Sequence, residues 1–261
     1  MVKKLIKDRQ LVATNSQALL KGWWLSRGFE VGEWKRVYLV HIRKTGGTSI
    51  NHMFLSLSGR NPETVYSELA EKKSHMVSSG GLAFVGWNRV IINSGYYFYG
   101  FSHIPLHQLR LPQKTYRIAV FRDPVERVIS HYKMLHDYHQ NRIPHPCMKV
   151  EGPWLGNGFS DFVENIPNEH LLNQLYMFSA SFDKQEAFDR SVSIERYFFT
   201  DDFNEGVSLI NQDLRLSLEP IHMRKTNLKQ SLSGSAIRVL RDRLSAEYEF
   251  LDMLRKHQCQ K

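Results

Sequence analysis

Two stretches of the chain share one pattern, an apolar run followed by a turn and then apolar residues at helical spacing. Val37-Tyr38-Leu39-Val40 is unbroken apolar sequence, as expected of a strand buried on both faces of a parallel sheet. After the loop His41–Gly47, residues Ile50, Met53, Phe54 and Leu57 recur with helical period. Downstream, Tyr116–Phe121 predicts a second strand. Asp123, Pro124 and Glu126 then mark a helix start, as N-cap, first-turn proline and capping-box glutamate. Val125, Val128, Ile129 and Tyr132 form the buried stripe of that helix.

The remaining elements read less sharply. Ile91–Phe101 predicts a strand, and residues 140–158, rich in proline, glycine and asparagine, predict a long surface loop. Helical patterns return at 159–178 and 203–216, with a strand near Arg196–Phe199 between them. Ile237, Leu240, Leu244, Tyr248 and Leu251 outline a closing helix. Residues 1–34, with Trp23, Trp24 and Trp34, show little periodicity and read as a helix and an extended arm packed on the main body. Strands alternating with helices predict an α/β fold, three layers around a mainly parallel central sheet, with residues 1–261 forming a single domain.

Composition narrows the function classes. The chain has 261 residues, 42% hydrophobic and 23% charged, which excludes a disordered or fibrous protein. Lys plus Arg is 35 against 26 for Asp plus Glu, a net charge of +9. That surplus points to anionic partners, whether phosphate, sulfate, nucleic acid or acidic polysaccharide. Two cysteines make no disulfide framework, which suits a reducing compartment. No stretch approaches the roughly 18 apolar residues of a membrane helix, and Asn15, Ser16 and Gln17 interrupt the basic N-terminus before any signal-peptide region forms. The expectation is a cytoplasmic protein without a membrane partner.

Both clear strand-to-helix turns carry candidate chemistry. The first holds Lys44-Thr45-Gly46-Gly47-Thr48-Ser49. Glycines there let backbone amides approach an anion, and a helix start adds partial positive charge. Lys44 brings a full charge, and Thr48 and Ser49 bring hydroxyl donors. In the P-loop of nucleoside triphosphatases the lysine follows the glycines; here it precedes them, so the ligand is held differently. A glycine turn with exposed cations is the plain alternative. The second turn is Arg122-Asp123-Pro124-Val125-Glu126-Arg127-Val128-Ile129-Ser130-His131-Tyr132. Arg122 falls at the carboxyl edge of the predicted sheet, where open α/β sheets bind ligands. Arg127 and Ser130, three apart, share a helical face, so arginine and hydroxyl offer a second place for a phosphate. Surface ion pairing between Arg127 and Glu126 is the equal alternative.

Taken together, these motifs resemble those of sulfotransferases that use 3′-phosphoadenosine 5′-phosphosulfate (PAPS). The closest likeness is to the carbohydrate branch with heparan-sulfate 2-O- and chondroitin-type enzymes. The resemblance is close over residues 37–57 and 116–132 and looser elsewhere, and it implies a P-loop-like sulfotransferase fold. It implies that Lys44, Thr45, Gly46, Gly47, Thr48 and Ser49 bind the 5′-phosphosulfate, and that Arg122 and Ser130 bind the 3′-phosphate. Arg43 stands where the family pattern has proline and adds a cation beside the sulfate. In His222-Met223-Arg224-Lys225-Thr226-Asn227 the family has a polar loop that reaches over the nucleotide, which implies cofactor binding by Arg224 and Lys225. An exposed charge run explains that stretch equally well.

His103, just after a predicted strand, aligns with a family histidine that deprotonates the acceptor, with Ser102 replacing a glycine. His107 is its competitor. His136, His139, His145 and Cys147 match no standard zinc spacing and read as solvated loop residues, so no metal is expected. His131 and Tyr132 read as pocket-lining or packing residues. The implied reaction moves a sulfuryl group from PAPS to an acceptor oxygen, or less readily a nitrogen, and releases adenosine 3′,5′-bisphosphate. Lys44 would neutralise the leaving phosphate. The acceptor would be a carbohydrate or a secondary-metabolite alcohol, not nucleic acid. Two rivals stand beside this reading. A small-molecule kinase lacks support because no Walker A loop exists. A non-enzymatic basic module for nucleic acid or acidic polysaccharide would spread its cations over one face instead of gathering them at two turns.

Overall fold

The first apolar run becomes a central strand. In the computed structural model, which describes residues 2–221 and 233–260 (2–12 by their backbone alone), β1 spans Arg36–Val40, and Val37 to Val40 are at most 1% exposed. Helix α1 (Val2–Ser26) precedes it. There follow α2 (Gly47–Ser56), α3 (Pro62–Glu71), β2 (Met76–Ser79), β3 (Leu82–Gly86), α4 (Arg89–Ser94), β4 (Tyr99–Ser102) and β5 (Thr115–Phe121). Next come α5 (Pro124–Gln140), the short helices α6 (Phe159–Asn165), α7 (Asn168–Leu171) and α8 (Asn173–Tyr176), and α9 (Lys184–Val192). Strand β6 (Arg196–Phe199), α10 (Phe203–Leu214), α11 (Gly234–Arg243) and α12 (Ser245–Gln258) close the described chain.

The six strands among the described residues form one sheet in the order β2-β3-β4-β1-β5-β6. β2 and β3 pair antiparallel, whereas β3, β4, β1 and β5 run parallel. This is the α/β fold with a mostly parallel central sheet that the alternation of elements predicts. From β1 the chain crosses to the β2 edge, returns through β3 and β4, and then places β5 on the other side of β1. That reversal is a topological switch point, beyond whose carboxyl ends ligands bind. Val40 pairs with Ser102 of β4 and with Ala119 of β5, so the three central strands end at one edge.

Contacts divide the chain into two compact units. The first takes the sheet and its immediate helices: residues up to His41, Gly46–Val120, and the stretch from Ile194 through α10. In it α2 packs on β1 and β4, where Phe54 stacks on Tyr99 with ring centres 4.4 Å apart. The second takes Ile42–Thr45, Phe121–Ser193 and the last two helices. Its core joins α5, α6 and α11 through Val128, Tyr132, Leu135, Phe162, Leu240 and Leu244.

Several boundaries differ from the sequence reading. Ile91 and Ile92 belong to helix α4, and β4 begins only at Tyr99. The Asn88 side chain accepts from the amides of Val90 and Ile91, and Gly95 ends the helix at φ 70°, so the caps prevail over the apolar run. Residues 140–158 contain two 3₁₀ turns, Pro146–Lys149 and Gly152–Leu155, and bury Glu151 and Leu155. The closing helix breaks at Leu244 into α11 and α12.

Candidate active site

Between β1 and α2 the backbone turns through two left-handed residues, Lys44 at φ 66° and Gly46 at φ 87°. Glycine adopts that conformation at little cost, whereas Lys44 carries roughly 1–2 kcal/mol of strain. Gly46 is the N-cap of α2, and its carbonyl accepts from the amides of Ser49 (2.9 Å) and Ile50 (3.4 Å). The amides of Gly47 and Thr48 belong to the set that a helix start leaves without intrahelical acceptors, where partial positive charge gathers. Thr45 is buried and donates its hydroxyl to the Ile42 carbonyl at 3.1 Å, so its side chain shapes the loop. Ser49 is buried and Thr48 half-buried.

Gly47 answers a different need. A Cβ there would lie 2.2 Å from His41 Cδ2, so the His41 ring occupies the space a side chain would take.

The second turn meets the first within the second unit. The Arg122 guanidinium donates from Nη1 to the Lys44 carbonyl at 3.4 Å and from Nη2 to Glu126 at 3.1 Å. Its backbone is fixed on both sides by one side chain: the Arg122 amide donates to Gln174 Oε1 (2.8 Å) and Gln174 Nε2 donates to the Arg122 carbonyl (2.9 Å). Asp123 caps α5 by accepting from the Glu126 amide at 2.9 Å, as its spacing predicts. The Glu126 carboxylate, expected to close the capping box, is engaged with Arg122. Ser130 is half-buried on α5. Arg127, expected to share its role or to pair with Glu126, does neither. It is fully buried, faces Glu247 of α12 at 3.6 Å, and donates to the Leu171 carbonyl. Burial pushes the Arg127 guanidinium below its ordinary pKa against the pull of Glu247.

Within the first unit, His103 follows β4 and reaches back toward β1. Its Nδ1 lies 2.6 Å from the His41 carbonyl, and its ring centre is 4.3 Å from that of His41. A carbonyl oxygen only accepts, so Nδ1 carries the hydrogen of that bond and Nε2 is the basic nitrogen of the neutral ring. His41 in turn lies 3.5 Å from Asn51 Nδ2, and Tyr99 donates to Asn51 Oδ1 at 2.7 Å. His107 sits in the 3₁₀ turn Leu106–Gln108.

Arg43 is held twice in the second unit. Its amide donates to Asn173 Oδ1 (3.1 Å), and its guanidinium pairs with Glu151 at 2.9 Å. The other Glu151 oxygen accepts from His131 Nε2 at 2.7 Å. Burial pushes the His131 pKa down to about 4 despite Glu151, so this ring is neutral. Burial alone would raise the Glu151 carboxyl, but His131 and Arg43 together hold it below its ordinary value.

His136 and His139 stand on α5 and not in a loop; His136 packs on Tyr132, and His145 stacks on Tyr138 beside Cys147. Among the described residues no three His, Cys, Asp or Glu converge as metal donors. Nor is any described helix long and apolar enough to cross a membrane. Arg224 and Lys225 lie outside the described residues.

Sequence reasoning missed His41, Asn51 and Glu151. The rule that picked His103, a histidine directly after a strand at the carboxyl edge, applies equally to His41. Asn51 lies beside Ile50 and Met53 of the apolar stripe of α2, where a fully buried amide needs partners. Glu151 carries no local signal.

The mostly parallel six-stranded sheet, whose strand order reverses at β1, makes this an α/β protein of the class that binds ligands beyond the carboxyl ends of its strands. The sulfotransferase family model matches residues 28–228, which take in both turns and His103, and the chain belongs to that family. It is therefore a transferase of sulfuryl groups. A search of curated proteins gave no match.

Proposed function

We propose that this sulfotransferase draws its sulfuryl group from PAPS and delivers it to a hydroxyl of a carbohydrate, with a small-molecule alcohol as the competing acceptor class. One observation carries the reading: the Arg122 guanidinium reaches the carbonyl of Lys44, so the two anion-binding turns are in contact. The local chemistry fits the donor. A glycine-lined turn with helix-start amides suits a phosphosulfate, and a guanidinium suits a second phosphate. When bound, PAPS supplies an activated sulfuryl group on a phosphate leaving group. Lys44 and the Gly47 and Thr48 amides would hold the 5′ end and balance the charge that develops there. Arg122 and Ser130 would hold the 3′-phosphate. His103 would take the acceptor proton at Nε2, because its Nδ1 hydrogen is committed to the His41 carbonyl. Cys147 and Cys259 form no disulfide, which accords with a reducing, cytoplasmic setting.

Calorimetry with adenosine 3′,5′-bisphosphate tests the site. Arg122→Ala is expected to weaken binding by about 1.5–3 kcal/mol, roughly tenfold to 150-fold, and Ser130→Ala by less. Adenosine 5′-monophosphate, which lacks the 3′-phosphate, should bind both variants much as it binds the wild type. Unchanged affinity for the bisphosphate in both variants refutes the assignment. A panel of sugars and alcohols incubated with labelled PAPS then sorts the acceptor classes.

A further inference from the structure

Glu151 is a carboxylate at 3% exposure, contributed by a segment whose sequence reads as surface loop. Each of its oxygens has one partner: Oε1 takes the Arg43 guanidinium at 2.9 Å, and Oε2 takes His131 Nε2 at 2.7 Å. His131 itself is fully buried on α5, so the carboxylate is fixed from a rigid helix. Arg43 immediately precedes Lys44, the left-handed residue of the anion loop. A strained backbone of this kind persists only where its surroundings over-determine it. Here they do so on every side. Arg43 is held by Glu151 at its head and by Asn173 at its amide, Thr45 is bonded to Ile42, and the Lys44 carbonyl takes Arg122.

We infer that Glu151 is a positioning residue for the donor site, acting through Arg43 to hold the Lys44 turn, and that Arg43 is a tether with its charge already matched, not a ligand of the sulfate. This inference rests on the proposal that the Lys44 turn binds PAPS. It makes a prediction of sign. If Arg43 were simply one more cation for the ligand, removing the negative charge of Glu151 would strengthen anion binding, since the guanidinium would lose its counter-charge. If Glu151 positions the loop, removing its charge weakens binding, because Lys44 loses the fixed neighbour that sustains its conformation.

The experiment is calorimetry of the full chain with adenosine 3′,5′-bisphosphate, for wild type, Glu151→Gln, Arg43→Met, the double variant and Arg43→Lys, with thermal melts alongside. Positioning by an outer partner is commonly a matter of about 10–100-fold in affinity. Both single variants are expected to weaken binding by that factor. The double variant should be no weaker than the worse single one, since both remove the same tether. Arg43→Lys, which keeps an ion pair, should recover most of the affinity. A role in stability alone would lower the melting temperature and leave the affinity of the folded protein intact, and that outcome overturns the inference. So does tighter binding by Glu151→Gln, or a loss in Arg43→Met with none in Glu151→Gln. Should Glu151→Gln not fold, Glu151→Asp, which keeps the charge but draws it back from Arg43, takes its place: affinity equal to or above that of the wild type overturns the inference. A wild type that does not bind the bisphosphate brings down the donor-site reading and this inference with it, whereas a wild type that binds and variants that bind equally well bring down this inference alone.

Discussion

Placing one methyl group on Gly47 tests how closely the turn before α2 and the proposed base, His103, are coupled. Gly47 is not among the glycines with positive φ, so its backbone suits any residue, and what forbids a side chain is space. An alanine Cβ would sit 2.2 Å from His41 Cδ2 and 2.4 Å from Nε2. Carbon atoms in contact keep about 3.5–4.0 Å, so the imidazole must retreat by roughly 1 Å or more. It has little room to do so. His41 is 6% exposed, with its ring 4.3 Å from that of His103 and its Nδ1 3.5 Å from Asn51. Overpacking of this kind costs about 1–3 kcal/mol, and alanine at a helical position returns up to about 1 kcal/mol, leaving a net loss near 1 kcal/mol. The larger effect falls on chemistry. A displacement of about 1 Å passed to His103 corresponds to roughly a 100-fold loss of turnover. Gly46→Ala is the control: its nearest neighbour, Phe203, would be 3.5 Å away, so φ 87° is the obstacle and nucleotide affinity is the property expected to suffer. Turnover with labelled PAPS and the best acceptor, nucleotide calorimetry and thermal melts separate these effects. Turnover in Gly47→Ala within about threefold of wild type would refute the coupling of His41 to His103.

Three further outcomes are expected. His103→Ala should lose about 10²–10⁴ in turnover while keeping its nucleotide affinity, with His107→Ala much milder; near-normal turnover in His103→Ala moves the base elsewhere. Lys44→Ala should lose far more rate than Lys44→Arg, and activity should survive a chelator; loss on chelation with recovery on adding zinc would overturn the charge-balancing role of Lys44. For stability, the unfolded chain binds a proton at His131 below pH 6.5 that the folded chain refuses until about pH 4. Stability is therefore complete above pH 6.5 and declines by about 3 kcal/mol as pH falls to 4, a slope that melts of His131→Gln should lack; equal slopes in both proteins refute the assignment.

The parts of this protein that sequence reveals are those set by local chemistry. β1 and β5 are apolar runs because both of their faces are covered, and Asp123-Pro124 announces α5 by a capping bond that closes within three residues. The hairpin β2–β3 leaves a weak trace in the sequence although Gly80 and Gly81, at φ 57° and 76°, form a two-residue turn, because its strands are only four and five residues long. Arg127 shows the limit most clearly. Periodicity gives the face of α5 on which it lies, but the partner that decides its role, Glu247, is 120 residues further along the chain. Glu151 is illegible for the same reason: a glutamate among prolines and glycines looks solvated until His131 and Arg43 come to meet it.

The family likeness ends at residue 228, and the buried carboxylate of Glu247 lies beyond it. That carboxylate does two things at once, facing Arg127 at 3.6 Å and accepting the Gln174 amide at 2.8 Å, while Gln174 holds both backbone polar groups of Arg122. A chain cut where the likeness stops would lose α11 and α12, taking from Arg127 its carboxylate partner and from the second unit's core Leu240 and Leu244. It would also loosen the bracket around Arg122. The border of the family likeness is thus not the border of the structural unit: the bracket around Arg122 is anchored through Gln174 in α12, a helix that the family pattern does not include.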